Sequence, residues 1–285
     1  MILDYEFFKN SLNKKLFEDS YSDLLRKIAE NPERYIGLFR PTKPKTKLIQ
    51  NITQSHEIRF GDALEFIFEK YFEASGFQLH TKRFRTNDDT ELNIDQLFSR
   101  GNKLYMIEQK VRDDHDSTKK VGQFDNFENK YFALTQQYPN YEIFPYMWFI
   151  DDSLKKNLRF YSNKIQSMSN DYGCQPNLFY GEELFSQVAD FDIEIWHETL
   201  DYLGKWKATL PDMPEINFDN NANVVFEEVK DLQPCIYRKL FNNLEIREQI
   251  FPIIFPNNIV LNMLYDYFFS KKETIYQTLA ELINV

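Results

Sequence analysis

Apolar residues recur at helical spacing along the first 30 residues, at Phe7, Phe8, Leu12, Leu16, Phe17, Leu24 and Leu25, which predicts a helical N-terminal region. Arg40–Lys47 (RPTKPKTK) then carries two prolines and no apolar residue, and an extended loop is expected there. Its four cations suit either phosphate contacts or a solvated linker. From Gly61 to Gly76 apolar residues again follow a helical period and end at a glycine. Phe77–Phe84 reads as a strand, Thr86–Thr90 as a turn, Glu91–Phe98 as a second strand, Ser99–Asn102 as a tight turn and Lys103–Lys110 as a third strand. Val121–Tyr138 is helical in spacing, and Tyr141–Ile150 reads as a buried strand.

The order helix, three strands, helix, strand predicts an α/β fold. Short turns make the first three strands antiparallel, and the crossover helix makes the fourth parallel to its neighbour. The sheet is therefore mixed, with helical N- and C-terminal additions. Three regions are expected: a helical region and basic loop over 1–57, a core over 58–170, and a mostly helical part over 171–285 for recognition or dimerisation. In that last part, helices are expected near Glu182–Val188, Ile195–Leu203, Val260–Ser270 and Glu273–Ile283, with a loop over Pro211–Asn223.

Hydrophobic residues make up 42% and aromatics 16% of the 285 residues, enough for a packed core. Two cysteines, Cys174 and Cys235, offer neither a zinc-ligand spacing nor a disulfide framework. With no signal-like N-terminus and no apolar stretch long enough to span a bilayer, a cytoplasmic protein without a membrane partner is expected. The net charge of −10 argues against a nucleic-acid partner only until it is located. Gly181–Asp231 holds 13 acidic and 3 basic residues, which is the whole excess. The rest of the chain is balanced, so a duplex has a neutral or basic surface to meet.

The segment IDQLFSRGNKLYMIEQK carries the chemistry. Asp95 lies on one strand, and Glu108 and Lys110 lie on the next. Side chains two apart on a strand share a face, and the short turn lets Asp95 approach Glu108. Two carboxylates plus a phosphate oxygen suit Mg²⁺, and a neighbouring lysine could orient or deprotonate a water, or stabilise a pentavalent transition state. The alternative reading is an ordinary cross-strand ion pair on a sheet face.

This arrangement resembles the PD-(D/E)xK nuclease superfamily: an acid, a variable gap, then acid-x-Lys, on a core of helix, three strands, helix and strand. The resemblance covers about Gly61 to Ile150, with Ile94 in place of the usual proline before Asp95. It implies Asp95, Glu108 and Lys110 as catalytic residues, with Asp95 and Glu108 as metal ligands. An acid on the preceding helix often assists; Glu65 is the candidate for both roles, with Glu69 as alternate. The polar loop after the third strand (EQKVRDDHDSTKKVGQFDNF) further resembles the DNA-facing segments of type II restriction endonucleases. On that resemblance the DNA contacts are Arg112, His115, Ser117, Thr118, Lys119, Lys120 and Gln123. The implied activity is Mg²⁺-dependent cleavage of double-stranded DNA at a short specific sequence, leaving 5′-phosphate and 3′-hydroxyl ends. A homodimer and a cognate DNA methyltransferase are the implied partners. A repair or recombination nuclease of the same superfamily, or a non-catalytic DNA-binding protein keeping the fold, are the alternatives.

Acid-x-Lys occurs twice more. Glu128 and Lys130 sit in a helical pattern, where residues two apart point roughly 200° apart. Glu228 and Lys230, preceded by Pro211-Asp212, match the signature if Val224–Lys230 is a strand, but they lie in the acidic segment.

Overall fold

A computed structural model of the chain describes residues 1–85, 91–114 and 116–283. The turn expected over Thr86–Thr90 and the proposed DNA contact His115 lie outside these residues. In chain order the elements begin with α1 (Tyr5–Phe17), α2 (Ser20–Glu30), α3 (Glu33–Ile36) and α4 (Pro44–Ala74). The strands β1 (Gln78–Leu79), β2 (Arg83–Arg85), β3 (Glu91–Asn93), β4 (Gln96–Arg100) and β5 (Lys103–Lys110) follow. Then come α5 (Ser117–Gln137), β6 (Glu142–Phe149), α6 (Leu158–Tyr172), β7 (Asn177–Tyr180), α7 (Glu183–Gln187) and α8 (Ile193–Lys207). After a 3₁₀ turn at Phe218–Asn221, the chain closes with α9 (Ala222–Val229), α10 (Pro234–Asn242), α11 (Leu244–Gln249), α12 (Phe251–Ile254), α13 (Ile259–Ser270) and α14 (Thr274–Ile283). Among the described residues no helix is long and apolar enough to cross a membrane.

The chain groups into two compact units. One comprises residues 1–12 and 61–209, the other residues 13–60 and 210–285. The second unit is helical around a core that includes Leu24, Ile28, Leu48, Val225, Tyr237, Leu240, Ile254 and Leu264.

The first unit holds a five-stranded sheet in the order β1-β4-β5-β6-β7. β4 pairs antiparallel with β1 and β5, and β6 runs parallel to β5 and β7. This is the mixed α/β architecture expected from the pattern. Gly101, with φ +62°, makes the tight turn between β4 and β5, a conformation that glycine adopts without steric cost. On β5, Leu104 and Met106 face a core shared with Phe124, Phe127 and Leu134 of α5 and Tyr161 and Met168 of α6. The opposite face carries Tyr105, whose ring lies 5.6 Å from that of Phe98. There Phe72 of α4 stacks on Phe98 at 4.1 Å and Phe68 meets Trp148 edge-on at 4.7 Å. Each such buried ring contributes about 1.5–3 kcal/mol, which seats α4 on the sheet and fixes where its carboxylates emerge.

Several elements depart from the expected pattern. Half of the basic stretch is helix, because α4 begins at Pro44; proline is tolerated there since the first helical N–H has no partner anyway. The strand expected over Phe77–Phe84 is split into β1 and β2, and that expected over Glu91–Phe98 into β3 and β4. The polar-looking Leu158–Tyr172 is a helix that leads to a fifth strand, β7. Val224–Lys230 is not a strand: Val224 to Val229 lie in α9.

Candidate active site

The split in the first hairpin positions Asp95. β2 pairs with β3 so that Arg83 faces Asn93, whereas β1 pairs with β4 so that Leu79 faces Phe98. Between these pairs, His80–Lys82 on one strand oppose Ile94–Leu97 on the other, one residue more. His80 N–H donates to Leu97 O at 2.9 Å and Ile94 N–H to Lys82 O at 2.9 Å, so the segment stays hydrogen-bonded around a β-bulge. A bulge bends its strand and re-aims a side chain, and here it carries Asp95.

β5 supplies the other groups with no irregularity. Alternation puts Glu108 and Lys110 on one face and Gln109 on the other, where Gln96 donates to the Gln109 side chain at 3.2 Å and to Glu65 O of α4 at 2.7 Å. Asp95 Oδ2 accepts the Gln109 N–H at 2.8 Å and the Lys110 ammonium at 2.7 Å. The same ammonium lies 2.9 Å from Glu108 Oε1 and donates to Gln109 O at 3.0 Å. Asp95, Glu108 and Lys110 therefore form one cluster. Asp95 and Glu108 are buried, while the Lys110 side chain is 27% exposed and marks the open side.

A second lysine enters from α5. Lys130 donates to Glu108 Oε2 at 2.6 Å, and its side chain is only 4% exposed. It shares the buried stripe of α5 with Phe124, Phe127 and Leu134. By helical spacing this residue cannot share a site with Glu128. Its partner comes from another element. The available signal was a lysine at a position of helical apolar period, where a charge has to find a buried partner.

Burial and the neighbouring Glu108 charge raise the Asp95 carboxyl above its ordinary value, against the pull of Lys110 and Lys130. Burial would raise Glu108 too, but the two lysines and their hydrogen bonds outweigh it and hold its carboxyl low. Burial would lower the Lys110 ammonium, yet Glu108 and Asp95 raise it above the usual lysine range. It is thus held as a cation between the two carboxylates. Glu65 on α4 is pushed up to about 7 by burial and the Asp95 charge, partly offset by Lys110 and Lys82. Its electrostatic neighbours place it beside the cluster. The alternate, Glu69, is instead paired with Lys82 at 2.9 Å.

Asp95 and Glu108 thus share the Lys110 ammonium, and burial first, then the neighbouring carboxylate charge, raises Asp95 and Glu65. Among the described residues no three His, Cys, Asp or Glu side chains converge into a protein cage for a metal. Two neighbouring hard oxygen donors nonetheless fit Mg²⁺, which is typically held by one or two carboxylates, with water and substrate phosphate completing its shell.

The residues after β5 divide into two groups. Asp113 is fully buried and accepts from Asn157 N–H at 2.7 Å, Asn157 Nδ2 at 2.8 Å and the Tyr180 hydroxyl at 2.9 Å, pinning the loop. Lys120 donates to Asn157 Oδ1 at 3.0 Å and lies 4.8 Å from the Phe160 ring, and Gln123 accepts from the Tyr161 hydroxyl at 2.8 Å. Both are engaged with α6 and its N-cap. Ser117, Thr118 and Lys119 are exposed on the first turn of α5, and Arg112 is half-buried in the loop that follows β5. Asp116 caps α5 and takes the Thr118 and Lys119 N–H groups, so phosphate contacts there would fall to side chains.

The rival motif does not assemble. Glu228 lies in α9, where it accepts the Ser22 N–H at 2.8 Å, and Lys230 pairs with Glu227 at 2.5 Å. A helix cannot present Glu228 and Lys230 on one face.

No curated protein matches this chain. A family model does, the HinfI type II restriction endonuclease, over residues 5–88 and 78–207. That span is more than half of the chain. It includes the bulge at Asp95, all of β5 and the helix that carries Lys130. The chain therefore belongs to the HinfI family of type II restriction endonucleases.

Proposed function

We propose that this nuclease hydrolyses phosphodiesters of double-stranded DNA at a short specific sequence, using Mg²⁺ held by Asp95 and Glu108. The observation that carries the reading is a pair of buried carboxylates, one from the bend between β3 and β4 and one from β5, bridged by one partly exposed ammonium. Bound there, Mg²⁺ would supply charge neutralisation on the phosphate and a water of lowered pKa.

The chain's own residues supply the rest. The Gln109 N–H fixes one Asp95 oxygen and so orients the other. Lys110, held cationic at the open side, is placed to orient the attacking water and to stabilise charge developing on the phosphate. Glu65 adds a third carboxylate that responds to the charge of the cluster. Cleavage leaving a 5′-phosphate and a 3′-hydroxyl is the reading, with the protein acting as a homodimer on a palindromic site and a cognate methyltransferase protecting host DNA.

The test is incubation with plasmid DNA and Mg²⁺ or with excess EDTA, followed by sequencing of the ends. Discrete Mg²⁺-dependent fragments with 5′-phosphates are expected from the natural chain. Asp95→Ala and Glu108→Ala should give none, while DNA binding persists. Normal cutting by Asp95→Ala would overturn the site, and nicking dictated by DNA structure alone would overturn the specificity.

A further inference from the structure

The two lysines on Glu108 differ in their freedom to move. Lys110 meets Oε1 from the open side and has other acceptors, Asp95 Oδ2 and Gln109 O, so it keeps its partners if Oε1 is taken. Lys130 meets Oε2 from within the α5 stripe, at 2.6 Å and 4% exposure. An ammonium buried there is stable only while it stays paired, because loss of the partner strands a charge away from water.

We infer that Lys130 is a positioning residue that reserves Glu108 Oε2. It makes Glu108 a one-oxygen ligand and restricts the site to a single divalent cation. The inference rests on the metal-dependent reading above. A carboxylate with both oxygens open can chelate one ion or bridge two. With Oε2 held by Lys130, only Oε1 is on offer, and the fixed positive charge behind it repels a second cation. Lys130 touches no reacting atom in this role; it acts through Glu108.

The experiment is a titration of the metal-free full chain with Mn²⁺, without DNA, following unbound Mn²⁺ by electron paramagnetic resonance. The natural chain should bind one ion. Lys130→Met should admit a second ion and bind the first about tenfold more tightly, equivalent to ~1.4 kcal/mol. Lys130→Arg should behave like the natural chain. A folded Lys130→Met that binds one ion with equal or lower affinity overturns the inference, since a merely structural lysine would leave or weaken metal binding. If Lys130→Met does not fold, Lys130→Ala carries the same test, because water can fill the vacated space and leaves Oε2 open to a cation. Asp95→Ala separates the two readings. Loss of Mn²⁺ there, with Lys130→Met unchanged, refutes only the role of Lys130. Absence of binding in both the natural chain and Asp95→Ala refutes the metal site and this inference together.

Discussion

Asp113 offers a stability test of how the site is held. It lies three residues beyond Lys110, is fully buried, and accepts three hydrogen bonds from Asn157 and Tyr180. Asp113→Ala leaves those three donors without their acceptor. Each hydrogen bond to a charged group is worth ~1.5–3 kcal/mol, and a stranded buried donor costs ~1–3 kcal/mol. Simple addition overshoots, because the Tyr180 hydroxyl can rotate and a water can enter. About 3–5 kcal/mol is the expected loss, the low end for three stranded buried donors. Asp113→Asn keeps the shape and, with its oxygen at the Oδ2 position, the acceptor for Asn157 N–H and Tyr180, but turns its amide toward the Asn157 Nδ2 donor, so it should cost less, about 2–3 kcal/mol. All three tryptophans, Trp148, Trp196 and Trp206, belong to the same compact unit as Asp113. Their fluorescence in a urea series therefore reports the unfolding of that unit. An unchanged slope with a lowered midpoint is expected. An Asp113→Ala variant within about 1 kcal/mol of the natural chain would refute the reasoning, because three buried charged hydrogen bonds cannot vanish at so little cost.

Three further outcomes follow from the geometry. Because the folded Glu65 carboxyl is raised to about 7, the stability it supports is present below its ordinary range and is lost as pH rises through 7. Metal-free Glu65→Gln should therefore melt above the natural chain at pH 8 but not at pH 5, and an equal difference at both would contradict that. In DNA binding across a salt series, Lys119→Ala should flatten the log–log slope by ~0.9, the value for one phosphate contact. Lys120→Ala should chiefly lower the melting temperature, since Lys120 is bound to Asn157; the reverse pattern would exchange their roles. Ile94→Pro removes the N–H that bonds Lys82 O and a fully buried side chain. It should cost about 2–4 kcal/mol in the same urea assay, and an equally stable variant would refute the placement of that bond.

What could be read from the letters tracks how local each determinant is. β5 spans Lys103–Lys110 as the alternation predicts, and the shared face of Glu108 and Lys110 needs nothing beyond a strand. The parallel β6 follows from the crossover helix. α5 begins four residues before Val121, where Asp116 caps it; a charged, polar first turn carries no apolar signal. α6 and β7 escaped because Leu158–Tyr172 is largely polar and exposed, and β7 has only four residues. The helical unit unites chain segments on either side of the sheet-bearing one, a grouping that linear composition does not encode. Lys130 was hidden for a related reason: its partner lies 22 residues away on another element.

The position before Asp95 shows why the superfamily's proline can be absent while the cluster still forms. Ile94 uses its N–H in the hairpin and its side chain in the core with Leu97 and Leu104. A proline would forfeit the first and reshape the second. The ladder here is interrupted instead by the extra residue between the two paired segments, and the Gln109 N–H then fixes the Asp95 carboxylate. Both devices belong to the backbone: one is a register difference between strands, the other a main-chain donor whose side chain points to the opposite face. The first asks of residue 94 only a backbone N–H for Lys82 O, which any residue but proline supplies, and the second asks nothing of it. Of the signature's parts, acid-x-Lys is set by the two-residue period of a single strand and must appear in the letters. The first acid is set by how two strands are registered, so its neighbours are free to differ as long as the bulge remains.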